Sequence, residues 1–134
     1  MDSNKKILLV EVAEDEAPER IVLRDKLTQS GFAVVEAKDG EEGLGVALRD
    51  HPDVILLDLR MPKMDGMTMM GKLREDDWGK QVPVIVLTNY NANDQNVLKI
   101  ITDRPSYYLL KTETPIKEVI DKIHEVLESR REGD

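Results

Sequence analysis

The sequence predicts an α/β fold: one parallel sheet of five strands with helices on both faces. Three observations carry this reading. Apolar runs of strand length alternate with stretches of helical period, the runs are unbroken, and 134 residues suffice for one core. The runs are Ile7–Val10, Ala33–Val35, Val54–Leu57, Val84–Leu87 and Tyr107–Leu110. A strand with one wet face would alternate apolar and polar residues, so continuous runs read as strands covered on both sides. Between them Ile21, Leu23 and Leu27, then Leu44, Ala47 and Leu48, then Met69, Met70 and Leu73, then Val97, Leu98 and Ile101 recur near i, i+3, i+4 and predict four helices. A fifth helix is plainest: Ile116, Val119, Ile120, Ile123, Val126 and Leu127 form one stripe, while Lys117, Glu118, Asp121, Lys122, Glu125 and Glu128 form the wet side. Pro18 suits a first helical turn, Asp39-Gly40 and Asp65-Gly66 are turn signals ahead of helices, and Thr114-Pro115 opens the last one. Gly45 and Gly71 fall inside helical stretches, where each costs about 1 kcal/mol relative to alanine. The expected organisation is a single domain over 1–134, with its core over about 6–128 and a frayed tail at 129–134.

Composition removes several functions. There is no cysteine and there are two histidines, which excludes a disulfide framework, a thiolate zinc site and a cysteine nucleophile. The net charge of −8 argues against a phosphate-backbone footprint, so no direct nucleic-acid partner is expected. No window approaches the roughly 18 to 20 apolar residues of a membrane span, and the first residues lack a secretory apolar core, so a soluble cytoplasmic protein with no membrane partner is expected.

In an open parallel sheet, ligands bind beyond the carboxyl ends of the strands. After the first strand come Glu11, Glu14, Asp15 and Glu16, after the third Asp58, after the fourth Thr88 and after the fifth Lys111. Carboxylates gathered at one edge repel each other, and a hard divalent cation such as Mg²⁺ would relieve that repulsion and attract phosphate.

At these residues the chain resembles a response-regulator receiver domain of two-component signalling, of the chemotaxis-regulator type, over about Lys6 to Leu127. The likeness is carried by Lys6–Val10, by the segment from Asp53 through Asp58 and Met61-Pro62 to Met64-Asp65-Gly66, by Val82–Thr88 and by Tyr108–Lys111. It implies a flavodoxin-like, doubly wound sheet of strand order 2-1-3-4-5. It also implies that Asp58 accepts a phosphoryl group from a phosphohistidine on a sensor histidine kinase or histidine phosphotransfer protein. Mg²⁺ would be held by Glu14, Asp15, Asp58 and the backbone carbonyl of Arg60. Lys111 and Thr88 would each serve a phosphoryl oxygen, and water attacking the same phosphorus would reset the switch. The chain would thus promote its own phosphorylation and slow dephosphorylation without turning over external substrates. Thr88 and Tyr108 would form the switch that repacks the face made by the predicted fourth helix, the fifth strand and the last helix, where a downstream protein or a second copy docks.

The sequence departs from the family pattern in the loop after the first strand, which is lengthened by Glu11-Val12-Ala13. Counting back from the first helix puts Glu14 and Asp15 in the register of the acidic pair, and counting from the strand offers Glu11 as the alternative ligand. Asn89 is bulkier than the family's usual residue, Thr112 follows Lys111 where proline is common, and Arg60 and Tyr90 add a cation and a ring beside the pocket.

Other residues have plainer readings. The methionines at 61, 64, 67, 69 and 70 read as packing, His51 and His124 as exposed helix residues, and Trp78 as a loop aromatic lying over the core. Tyr107 is expected to pack or to face solvent. The alternative function is a receiver-like scaffold whose lengthened first loop impairs metal binding and which binds partners without phosphorylation. A phosphatase with an aspartate nucleophile would place a second aspartate two residues on, where Arg60 stands; a flavin binder is a weaker rival, which a colourless protein would exclude.

Overall fold

The computed structural model describes residues 5–10, 18–59, 64–88, 105–111 and 113–133, with side chains described over those ranges except at 18–20 and 130–133. Its described elements run β1 (Lys6–Val10), α1 (Pro18–Gln29), β2 (Ala33–Ala37), α2 (Gly40–Asp50), β3 (Val54–Leu57), α3 (Gly66–Glu75), β4 (Val84–Thr88), β5 (Tyr107–Leu110) and α4 (Ile116–Gly133). The strands form one parallel sheet in the order β2-β1-β3-β4-β5. The helix expected around Val97–Ile101 lies outside the described residues.

Burial explains the unbroken apolar runs and also corrects them. β3 and β4 are buried at every position and β1 is buried from Ile7 to Val10. The edge strands are only half-covered: β5 is intermediate throughout, and β2 is buried only at Ala37. A parallel sheet covered by helices has two edges, and its edge strands have a neighbour on one side only.

Two cores result. Leu8, Val10, Ile55, Leu57 and Val86 point to one face, against Ala47 of α2 and Met69, Met70 and Leu73 of α3. Ile7, Leu9, Leu56, Ile85 and Leu87 point to the other, against Leu23 and Leu27 of α1 and Val119, Ile123, Val126 and Leu127 of α4. Each fully buried side chain of this size adds roughly 1.5 to 3 kcal/mol relative to an exposed one. On α1 the expected apolar face is too wide: Ile21 is 37 % exposed, because residues two apart on a helix do not share a face and Leu23 takes the inward position.

The turn signals are helix caps. Asp39 and Asp65 accept the backbone N–H of Glu42 and of Thr68, each at 2.8 Å, and so satisfy orphan donors at the starts of α2 and α3. Pro115 accepts from the N–H groups of Glu118 and Val119 at the start of α4. That helix continues to Gly133, past residue 129 where fraying is expected. Once nucleated, a helix lengthens at small cost through good formers such as arginine and glutamate.

Both histidines correct their expected setting. His51 lies beyond α2 as its cap, in the left-handed region with φ 48°, and its ring stacks on Trp78 at 4.2 Å between centroids and 8° between planes. Trp78 packs over the first core as expected. His124 is half-buried on α4 and lies 5.3 Å from the Phe32 ring.

At the β5 edge, the Tyr107 hydroxyl donates to Glu125 Oε2 at 2.9 Å, and Lys122 Nζ lies 3.3 Å from the same oxygen and 4.8 Å from the centre of the Tyr107 ring. The Tyr107 hydrogen bond, then that of Lys122, hold the Glu125 carboxyl below the ordinary carboxylate range. A lowered folded value means that this clasp stabilises the fold above the unfolded carboxyl range and loses its effect as pH falls through the folded value.

Two predictions follow from this packing. A Cβ at Gly66 would lie 2.5 Å from the Asp58 carbonyl oxygen and 2.8 Å from Leu59 Cα, both backbone, whereas Gly45 faces open space. Gly66→Ala therefore destabilises the protein by roughly 1 to 3 kcal/mol and Gly45→Ala stabilises it by about 1 kcal/mol, read by urea unfolding. Tyr107→Phe lowers the melting temperature at pH 7, and the gap from the parent protein closes in acid as Glu125 takes up its proton, read by paired thermal melts across pH 7 to 3.

Candidate functional site

The polar residues at the carboxyl edge of the sheet are placed by the ladder itself. β3 is apolar from Val54 to Leu57, and Asp58 is the first residue beyond it. Its backbone N–H donates to the carbonyl of Val10 at 3.0 Å, which ties the residue to the end of β1. Thr88 is the last residue of β4, fully buried, and pairs in register with Leu110 of β5. Lys111 follows, and its N–H donates to the Thr88 carbonyl at 2.8 Å, which extends the ladder by one step. Two of the sequence-predicted residues are thus fastened to each other through their backbones.

The side chains of Asp58 and Lys111 meet. Lys111 Nζ lies 2.8 Å from Asp58 Oδ2, with the Asp58 side chain 11 % exposed and that of Lys111 21 % exposed. A charge-assisted bond in so sheltered a place is stronger than a surface ion pair, because less water competes for it. It accompanies the burial of a carboxylate that would otherwise be poorly tolerated beside the core.

The loop that leaves Asp58 returns at α3. Gly66 donates its N–H to the Leu59 carbonyl at 3.2 Å, and its missing side chain leaves room for the Asp58 carbonyl. The sequence marks Asp65-Gly66 as a turn; that the glycine also seats the helix against the aspartate shows only in three dimensions. Tyr108 is half-buried on β5, opposite Val86 in register, and packs on the core beneath α2 and α3. Tyr107, its neighbour, faces the other core, as the alternation of a strand requires.

Glu11, Glu14, Asp15, Arg60, Asn89, Tyr90 and Thr112 lie outside the described residues. Among the described residues no three histidine, aspartate or glutamate side chains gather where they could hold a metal ion. No helix there is long and apolar enough to cross a membrane.

Comparison with known proteins places this architecture. The profile of the response regulator receiver domain family matches residues 10–124. A probable transcriptional regulator, ycf27, from Porphyridium aerugineum is 35 % identical over 123 residues, which cover 92 % of this chain and 48 % of that protein. The receiver domain of the sensor histidine kinase PA1611 from Pseudomonas aeruginosa, solved with magnesium coordinated in its active-site cleft, is 27 % identical with a TM-score of 0.81, over 93 % of this chain and 98 % of that one. The beryllofluoride-activated receiver domain of Klebsiella pneumoniae RstA is 28 % identical with a TM-score of 0.77, over 92 % and 98 % of the two chains. The chain spans about half or less of the length of the curated relatives it matches. With its profile match, its 2-1-3-4-5 sheet and an aspartate, a threonine and a lysine at one edge, the chain belongs to the response regulator receiver domain family of two-component signalling.

Proposed function

We propose that this domain is a phosphoaspartate switch in which Asp58 accepts a phosphoryl group from a phosphohistidine of a sensor kinase or phosphotransfer protein. The observation that carries the reading is the sheltered contact between Asp58 and Lys111 at the carboxyl edge of the sheet. A carboxylate is a weak nucleophile, and the phosphorus it attacks is shielded by negative oxygens. The protein must therefore supply positive charge and hold the reacting groups in line.

The ion pair holds the Asp58 carboxyl group beside the Lys111 ammonium. As Asp58 oxygen bonds to phosphorus, the phosphorus–nitrogen bond of the donor breaks and the electron pair leaves with the imidazole. Lys111, already beside the carboxylate, passes to a phosphoryl oxygen, and the Thr88 hydroxyl donates to another. Because the Thr88 carbonyl holds the Lys111 amide, the two donors approach from a common support.

Mg²⁺ suits the oxygen donors of this site, and Asp58, Glu14, Asp15 and the carbonyl of Arg60 would hold it, with Glu11 as the alternative acid. When bound, the ion neutralises charge on the phosphoryl oxygens. Thr88 and Tyr108 would transmit the change: the first is drawn to the phosphoryl group, and the second, half-buried over the core, repacks in response. Docking of a downstream protein or of a second copy on the face that includes β5 and α4 would then be favoured. The reading takes the whole chain as one such domain.

Incubation with acetyl phosphate and Mg²⁺ adds one phosphoryl group, read by intact mass, and Asp58→Asn abolishes the gain. Lys111→Ala slows the gain on the order of 10- to 100-fold, the loss expected for one hydrogen bond to a charged group. Chelation of the metal slows it as well. Failure of the parent protein to gain mass with excess donor and metal overturns the proposal in favour of a scaffold that works without phosphorylation.

A further inference from the structure

Between α1, the end of β4 and the start of α4 the fold leaves a cleft of 220 Å³. Leu23, Leu87, Pro115, Ile116 and Val119 line it. Leu23, Leu87 and Val119 are 3 %, 7 % and 1 % exposed, so core packing fixes these walls. An apolar cavity of about 150 Å³ takes a benzene-sized molecule, and this one has room for a few further carbons.

Among the described residues two polar ones, Thr114 and Lys111, also line it. A mostly apolar pocket with a few placed polar groups is the usual form of a small-molecule site. Lys111 is also the residue whose Nζ lies 2.8 Å from Asp58 Oδ2. Its ammonium carries three N–H donors on a flexible stem, so an acceptor entering the cleft competes with Asp58 for them. Charges more than about 8 Å away are screened at physiological salt, so Asp58 is the near anion and the competition for Lys111 is with it.

We propose that this cleft binds a small amphiphilic acid, an apolar body of about six to eight carbons bearing one carboxylate, and that the carboxylate draws Lys111 away from Asp58. The binding stands on the cleft alone; its regulatory consequence rests on Asp58 being the phosphoacceptor. An occupied cleft slows phosphorylation by removing the cation that neutralises the incoming phosphoryl group.

The test uses octanoate as the probe and octanol as its neutral counterpart on the full chain. Methyl NMR is expected to show saturable shifts confined to Leu23, Leu87, Ile116 and Val119, with octanol binding about tenfold more weakly. Lys111→Met brings the two affinities together, which reads the carboxylate contact without any phosphorylation. Saturating octanoate slows acetyl-phosphate labelling of Asp58 by about tenfold, the effect of withdrawing one charge-assisted hydrogen bond. Ile116→Trp, which fills the cleft, removes the slowing when each protein is compared with and without octanoate. Absence of saturable shifts at Leu23 and Val119, equal affinities in the parent protein, or full occupancy without slowing would each overturn the proposal. A parent protein that takes no phosphoryl group even without octanoate defeats the switch mechanism instead, and the NMR result then decides the cleft by itself.

Discussion

The burial of the central strands on both faces governs where this protein can keep polar chemistry. β3 and β4 have no wet face, so a charged or hydrogen-bonding side chain within them would be stranded without water. The first place such groups can stand is the carboxyl end, where Asp58 follows β3 and Lys111 follows β5, with the Thr88 hydroxyl at the last position of β4. The parallel arrangement brings those ends to the same side of the sheet. Backbone pairing then sets the spacing of the residues that stand there. This is the economy of a site built on strand ends: the scaffold's own hydrogen bonds do most of the positioning.

The neighbourhood of Asp58 is constrained from behind as well. α3 starts at Gly66, packed so closely on the residue after β3 that a single methyl group has no place. Asp65 meanwhile fastens that helix start by capping Thr68. The aspartate is therefore fixed at its own amide by Val10, at its side chain by Lys111 and at its carbonyl by the packing of Gly66. Such support suits the role proposed for Asp58, since an error of an ångström in the placement of a nucleophile can remove much of its reactivity.

The sheet and the identity of its edge residues were legible in the sequence for a physical reason: apolar runs and the polar residues that end them are local signals. Asp39 and Asp65 were readable as turn residues for the same reason, because a cap acts within three residues. What escaped depends on distant partners. His51 reads as a helix residue from the sequence, whereas it is left-handed and stacks on Trp78, a residue far away in the chain. The exposure of Ile21 followed from which of three adjacent apolar residues α4 and the sheet could reach. The Tyr107 clasp needed the pairing of β5 with α4, which no periodicity reveals. Glu14 and Asp15 remain a matter of register counting, since the loop that bears them lies outside the described residues.

The stacked indole and imidazole have a practical meaning for spectroscopy. Trp78 is the single tryptophan of the chain and sits in the turn that precedes β4, whereas Asp58, Thr88 and Lys111 stand at the opposite ends of the strands. A five-residue strand separates the two regions by roughly 15 Å. Its emission is therefore a gauge of how α2 is seated against the turn beyond α3. A dye or a fluorine label nearer to Tyr108 is the better choice for following events at the aspartate.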